Sequence, residues 1–121
     1  MNNSKIRTFD TGATRNADEN KLDYEGFICP NVLERYAQYM QSHRKQSDGS
    51  IRDSDNWQKG IPQDQYLKSL VRHTLDFWRL QRLEDTHIEN PEGEMVDGQS
   101  LICSIMFNAM GWLHEELKKD E

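Results

Sequence analysis

Cysteine is scarce in this 121-residue chain: Cys29 and Cys103 stand far apart, with no CxxC spacing. They supply neither a disulfide framework nor a paired-cysteine metal motif, and the simplest setting is a reduced cytoplasm. No apolar run approaches the roughly 20 residues that span a bilayer, and the N-terminus lacks the apolar stretch of a signal peptide. A soluble protein with no membrane partner is expected. Positive charge is also short, with 15 Lys and Arg against 21 Asp and Glu and a net charge of -6. That balance argues against binding a nucleic-acid polymer, whose affinity rests on basic side chains neutralising phosphates. There is no glycine-rich phosphate loop, no H-E-x-x-H and no nucleophile elbow. Asp53-x-Asp55 begins like a calcium loop, but Trp57 occupies the third ligand position and no glycine follows it there.

The length fits one domain with a modest core. Residues 1–20 are polar and read as a flexible arm with almost nothing to bury, leaving 21–121 as a single helical domain. Pro30 suits the first turn of a helix in which Val32, Leu33, Tyr36, Ala37 and Met40 recur at helical spacing, ending near Lys45. After a loop to Ile61, Pro62 and Asp64 open a second helix whose stripe is Leu67, Leu70, Val71, Leu75 and Trp78. Glu84 to Gly98, broken by Asn90-Pro91 and two glycines, reads as an excursion with little regular structure. A last helix, about Gln99 to Lys119, carries Leu101, Ile102, Ile105, Met106, Ala109, Leu113 and Leu117. The expected fold is all-α: a small bundle of three main helices. Three helices leave an apolar face poorly covered, so completion by homo-oligomerisation, as a dimer or tetramer, is expected. Gly111 inside the last helix costs roughly 1 kcal/mol relative to Ala, which points to another helix, from this chain or a partner, crossing closely there.

The most unusual block is Ser47 to His73, which gathers acids, amides, an indole, bases and a glycine turn into one loop and one helix. Its centre, Asp55-Asn56-Trp57-Gln58-Lys59-Gly60, has one large apolar side chain and is a poor core sequence. On the second helix Ser69, Arg72, His73 and Asp76 share most of a polar stripe. There, Arg72 and Asp76 either work as a unit with His73 or form an i,i+4 ion pair on a solvated face.

These features carry a resemblance. Lys21-Leu22-Asp23, Asp55 to Gly60, Tyr66-x-x-Ser69-x-x-Arg72-His73 and Phe107-Asn108-Ala109-Met110-Gly111 resemble the phage-associated dATP/dGTP diphosphohydrolase N-terminal domain family, similar to the MazG group. The resemblance runs from about Lys21 to Glu116. It implies an all-helical, phage-type pyrophosphohydrolase that releases pyrophosphate from a purine deoxynucleoside triphosphate with Mg²⁺ or Mn²⁺, working in the host cytoplasm. A negative protein handling such a ligand must neutralise it locally, with placed bases or with a metal held by carboxylates.

On that reading His73 and Asp76 are the catalytic candidates, and Glu34 with Asp76 the metal ligands, since a metal between helices needs carboxylates from more than one of them. Glu25 is an alternative to Glu34, and either acid is otherwise surface charge. Trp57 offers a face for a purine or serves as a core or interface anchor. Lys59 and Arg72 meet phosphate, Asn56 reads a base edge or sugar, and Lys21 and Asp23 close over the site. Asn108 either tethers a loop or reaches the ligand. Glu89-x-x-Glu92 and Glu94-x-x-Asp97 imitate MazG acid pairs, but Pro91, Gly93 and Gly98 break the helix that would align them. Ser100 and Gln81 stand where the family pattern carries acid or histidine. That departure leaves open a second reading, a silent nucleotide-binding sponge for an immune second messenger. A third is a helical module that docks a protein through the loop.

Overall fold

The structure, a computed structural model, describes residues 5–17 and 20–120. In chain order the elements are β1 (Ile6–Thr8), β2 (Thr14–Asn16), α1 (Tyr24–Phe27), α2 (Pro30–Ser42), a 3-10 turn (Asn56–Lys59), α3 (Gln63–Arg82), β3 (His87–Glu89), β4 (Met95–Asp97) and α4 (Gly98–Lys118). The chain divides into two compact units, residues 1–30 and 31–121.

The fold is mainly helical, and the three long helices begin and end close to where capping residues and periodicity put them. The all-α expectation nevertheless needs correction, because two small antiparallel strand pairs are present. One lies in the segment read as an arm, where β1 pairs with β2, Ile6 opposite Asn16. Residues 1–4 and 18–19 of that arm lie outside the described residues. The other lies in the supposed irregular excursion, where β3 pairs with β4 in the register His87 to Asp97.

Both hairpins close with one turn design. In the second, Asn90 N donates to Glu94 O at 2.8 Å and Gly93 N to Asn90 O at 2.9 Å. Gly93 has φ +84°, a left-handed conformation that glycine reaches without a Cβ penalty. Asn90 Oδ1 adds bonds from Glu92 N and Glu94 N, and Pro91 presets the turn. Residues 9–13 repeat the backbone pattern. So do residues 46–50, in the loop after α2, where Lys45 and Ile51 form an isolated bridge.

In the unit 31–121 the core is the antiparallel pair α3 and α4. Tyr66, near the start of α3, meets Gly111, near the end of α4, and Leu80 meets Gly98 at the opposite ends. A Cβ on Gly111 would fall within the Tyr66 ring. The close approach inferred from Gly111 is therefore made by this chain's own α3. Tyr66, Leu80, Leu101 and Cys103 are buried together with Asp76, Ser104 and Asn108. Much of the apolar stripe of α3 is not buried: Leu67, Val71, Leu75 and Trp78 are between 41 and 57 % exposed, and Leu70 is half-buried. α2 buries no residue completely. It is held along α4 by Arg35 Nε donating to Gln99 Oε1 at 2.8 Å and by Tyr39 Oη against Ser104 Oγ at 2.6 Å.

Candidate functional site

The space between α2, α3, α4 and the loop 43–61 is a cleft of about 830 Å³, within the range of small-molecule and cofactor sites. Its walls follow from helix spacing. α2 contributes Tyr36, Tyr39 and Met40, α3 contributes Ser69 and His73, and α4 contributes Ser104, Phe107 and Asn108. These are i, i+3 and i, i+4 sets that each present one face. The loop adds Arg52, Asn56, Trp57 and Ile61.

Trp57 sits in the 3-10 turn, half-buried, with its ring edge-on to His114 at 4.6 Å and 77°. Ile61 N donates to Glu115 Oε1 at 3.1 Å, which ties the end of this loop to α4. That bond, with Lys118 beside it, holds the Glu115 carboxyl below its ordinary range. Gln63 strengthens the same junction by donating to Glu116 Oε2 at 2.8 Å and to Trp112 O at 3.2 Å.

Of the residues singled out in the sequence, Asn56, Trp57, His73 and Asn108 come together on the cleft wall, and Ser69 joins them. His73 Nδ1 is buried without a hydrogen-bond partner. Burial, reinforced by Arg72, lowers the His73 pKa, while Asp76 and Glu92 pull it the other way. Asn108 tethers no loop: its Nδ2 donates to Ser104 O at 2.8 Å inside α4.

Lys59, Arg72, Asp76 and Glu34, in the unit 31–121, do not line the cleft. Lys59 is exposed and does not line the cleft. Arg72 is also exposed and outside it, with Nη2 donating to Ser69 Oγ at 3.4 Å. Asp76 is buried and takes its ion pair from Arg79, at 3.0 Å, instead of from Arg72. The stripe divides because Ser69, His73 and Asp76 are spaced i, i+4, i+7, whereas Arg72 is turned about 100° from His73. Glu34 is exposed on α2. Asp23 caps α1, accepting from Gly26 N at 3.0 Å, and Lys21 is exposed in the same N-terminal unit. Asp97 is spent as the cap of α4, accepting from Ser100 N at 2.8 Å, and this bond lowers its pKa.

Among the described residues no group of three or more His, Cys, Asp or Glu is placed to hold a metal ion. The described residues of one chain therefore present no closed all-protein cage for a cation, and a magnesium ion bound with a nucleotide needs only one or two carboxylates beside the phosphates. No helix of the described residues is long and apolar enough to cross a membrane. Sequence reasoning missed Tyr39, Ser104, Arg44 and Arg52 as wall residues. Tyr39 falls outside the apolar register of α2, and the two arginines meet only through a hairpin. The paired positions around Asp48-Gly49 were the available signal.

The family model described as dATP/dGTP diphosphohydrolase, N-terminal, matches residues 11–121. The chain belongs to that family. No curated protein and no solved structure matches it.

Proposed function

From that membership we propose that the chain binds a purine deoxynucleoside triphosphate in the cleft and acts on it as a phage-type pyrophosphohydrolase, giving the monophosphate and pyrophosphate. The observation that carries this reading is the cleft, which joins an aromatic wall of Trp57 and Phe107 to polar groups from three helices and a loop. Trp57 supplies a stacking face for the base. Asn56 and Asn108 supply polar atoms for base or sugar, and Asn108 has its Oδ1 to offer. His73, held towards its neutral form, supplies a hydrogen-bonding or proton-carrying group at the wall.

Magnesium or manganese would supply charge neutralisation in such a reaction. Glu34 and Asp76 belong to no group of three or more such donors among the described residues, and we assign the exposed stripe Leu67, Val71, Leu75 and Trp78 to a second copy in a dimer or tetramer. That copy is a source of further carboxylates.

A second reading is favoured by Ser100 and Gln81, which stand where the family pattern carries acid or histidine: the same cleft retains a nucleotide without cleaving it, as a sponge for a second messenger of host immunity. One experiment separates the two. Purified protein is incubated with Mg²⁺ or Mn²⁺ and a mixture of deoxynucleotides, ribonucleotides and cyclic nucleotides, and the solution and heat-released ligand are analysed by mass spectrometry. Monophosphate and pyrophosphate establish the hydrolase, and an intact nucleotide released only on denaturation establishes the sponge. A mixture left unchanged, with nothing released, contradicts both.

A further inference from the structure

The clearest unassigned feature of the cleft is a pair of arginines on its rim. Arg44 and Arg52 lie opposite each other in the hairpin after α2. Arg52 N donates to Arg44 O at 2.7 Å, and Gln46 N donates to Ser50 O at 2.8 Å. Gly49, at φ +89°, closes the turn between them. Both arginines line the cleft.

Their partners are all neutral. Arg44 Nε donates to Arg52 O at 2.8 Å and Nη1 reaches Gln41 Oε1 at 3.4 Å, while Arg52 Nη2 reaches Gln46 Oε1 at 3.4 Å. The nearby Asp48 carboxylate is spent on Ser50, accepting from its N at 3.0 Å and its Oγ at 2.6 Å. Asp53 shares the rim but forms no ion pair with either arginine. Arg44, just past the end of α2, gains something from the helix dipole. Arg52 has no such compensation. In a chain carrying six more acids than bases, two guanidinium groups pinned in register without a carboxylate form a site whose repulsion an anion removes.

We infer that Arg44 and Arg52 are the phosphate anchor of the cleft, gripping the phosphate chain of the nucleotide while its base lies towards Trp57. This inference rests on reading the cleft as a nucleotide site. It moves phosphate recognition from Lys59 and Arg72, which are outside the cleft, to the hairpin. Guanidinium forks suit bidentate contact with phosphate oxygens, and most of their N–H donors here have no protein acceptor.

The test is a titration of deoxyguanosine, dGMP and dGTP against wild type, Arg52→Gln, Arg44→Lys and Lys68→Gln, the last removing a positive charge from the exposed surface of α3. Wild type should bind tighter with each added phosphate. Arg52→Gln should lose about tenfold or more for dGTP, as expected for a charge-assisted hydrogen bond, and little for deoxyguanosine. Arg44→Lys, which keeps the charge but loses the fork, should lose part of the same increment, and Lys68→Gln should keep it. Arg52 makes only one long side-chain bond, so helix melting of Arg52→Gln should match wild type. If wild type binds nucleoside and triphosphate equally, or if Arg52→Gln and Arg44→Lys keep the wild-type ratio, the anchor is overturned and the nucleotide cleft stands. If wild type binds none of the three, the cleft reading falls and the anchor with it.

Discussion

The two sides of α3 invert the usual relation between polarity and burial. The side towards α4 and the cleft carries Tyr66, Ser69, His73, Asp76 and Leu80, a mixed set in which Tyr66 is 1 % and Asp76 6 % exposed. The opposite side carries Leu67, Val71, Leu75 and Trp78, uniformly apolar and largely open. A helix in a protein that functions alone turns its apolar stripe inward. Here the inward face is shaped by one aromatic–glycine contact and by the groups that line a ligand cleft. The apolar stripe is the surface assigned above, as a proposal, to a second copy.

The largest effect should come from breaking the inward face. Tyr66→Ala removes the most buried large side chain and should cost about 3–5 kcal/mol in chemical denaturation, enough to unfold much of a marginal domain. Gly111→Ala attacks the same contact from α4. Its Cβ overlaps the Tyr66 ring, and the overpacking should cost about 1–3 kcal/mol although Ala is the better helix former by about 1 kcal/mol. A Gly111→Ala variant more stable than wild type would refute the close crossing.

On the outward face, Val71→Ser combined with Leu75→Ser should leave the helical circular dichroism intact. It should give a smaller sedimenting species than wild type and remove any dependence of melting temperature on protein concentration. Unchanged sedimentation would remove the second copy from the account.

His73 provides a subtler test. Its pKa lies below the ordinary 6.5 because of burial and Arg72, with Asp76 and Glu92 opposing. As pH falls through 6.5 the unfolded chain takes up the proton first, so stability present above 6.5 declines towards the lower folded-state value. His73→Gln should flatten that decline in melting temperature, and an unchanged slope would place the titration elsewhere. The smallest effect belongs to Tyr66→Phe. The Tyr66 hydroxyl is buried without a partner, so its removal should be neutral or stabilising by up to about 1 kcal/mol.

The long helices were legible because Pro30, Pro62 and the 3.6-residue spacing are local signals. The hairpins were written locally too, in Asn90-Pro91-x-Gly93 and Asp48-Gly49, but glycine and proline were weighed there as helix breakers and not as turn formers. Trp57, Asn56, His73 and Asn108 could be found as a constellation because each is out of character for its segment. Arg44 and Arg52 were only half legible: Asp48-Gly49 signals a turn that pairs them, but their meaning also depends on hairpin register and on the absence of an ion-pair partner. Nor does periodicity distinguish a stripe that faces the core from one that faces a partner. The sequence therefore showed that α3 has an apolar stripe without showing which way it faces.

On the proposed reading, the cleft beside α3 takes a purine nucleotide against Trp57. The most direct measurement is calorimetric titration of dGTP and dATP into wild type and Trp57→Ala. Stacking worth about 1–3 kcal/mol predicts saturable binding by wild type and affinity weaker by at least about fivefold in the variant. No binding by wild type, or equal affinity in Trp57→Ala, would contradict the account.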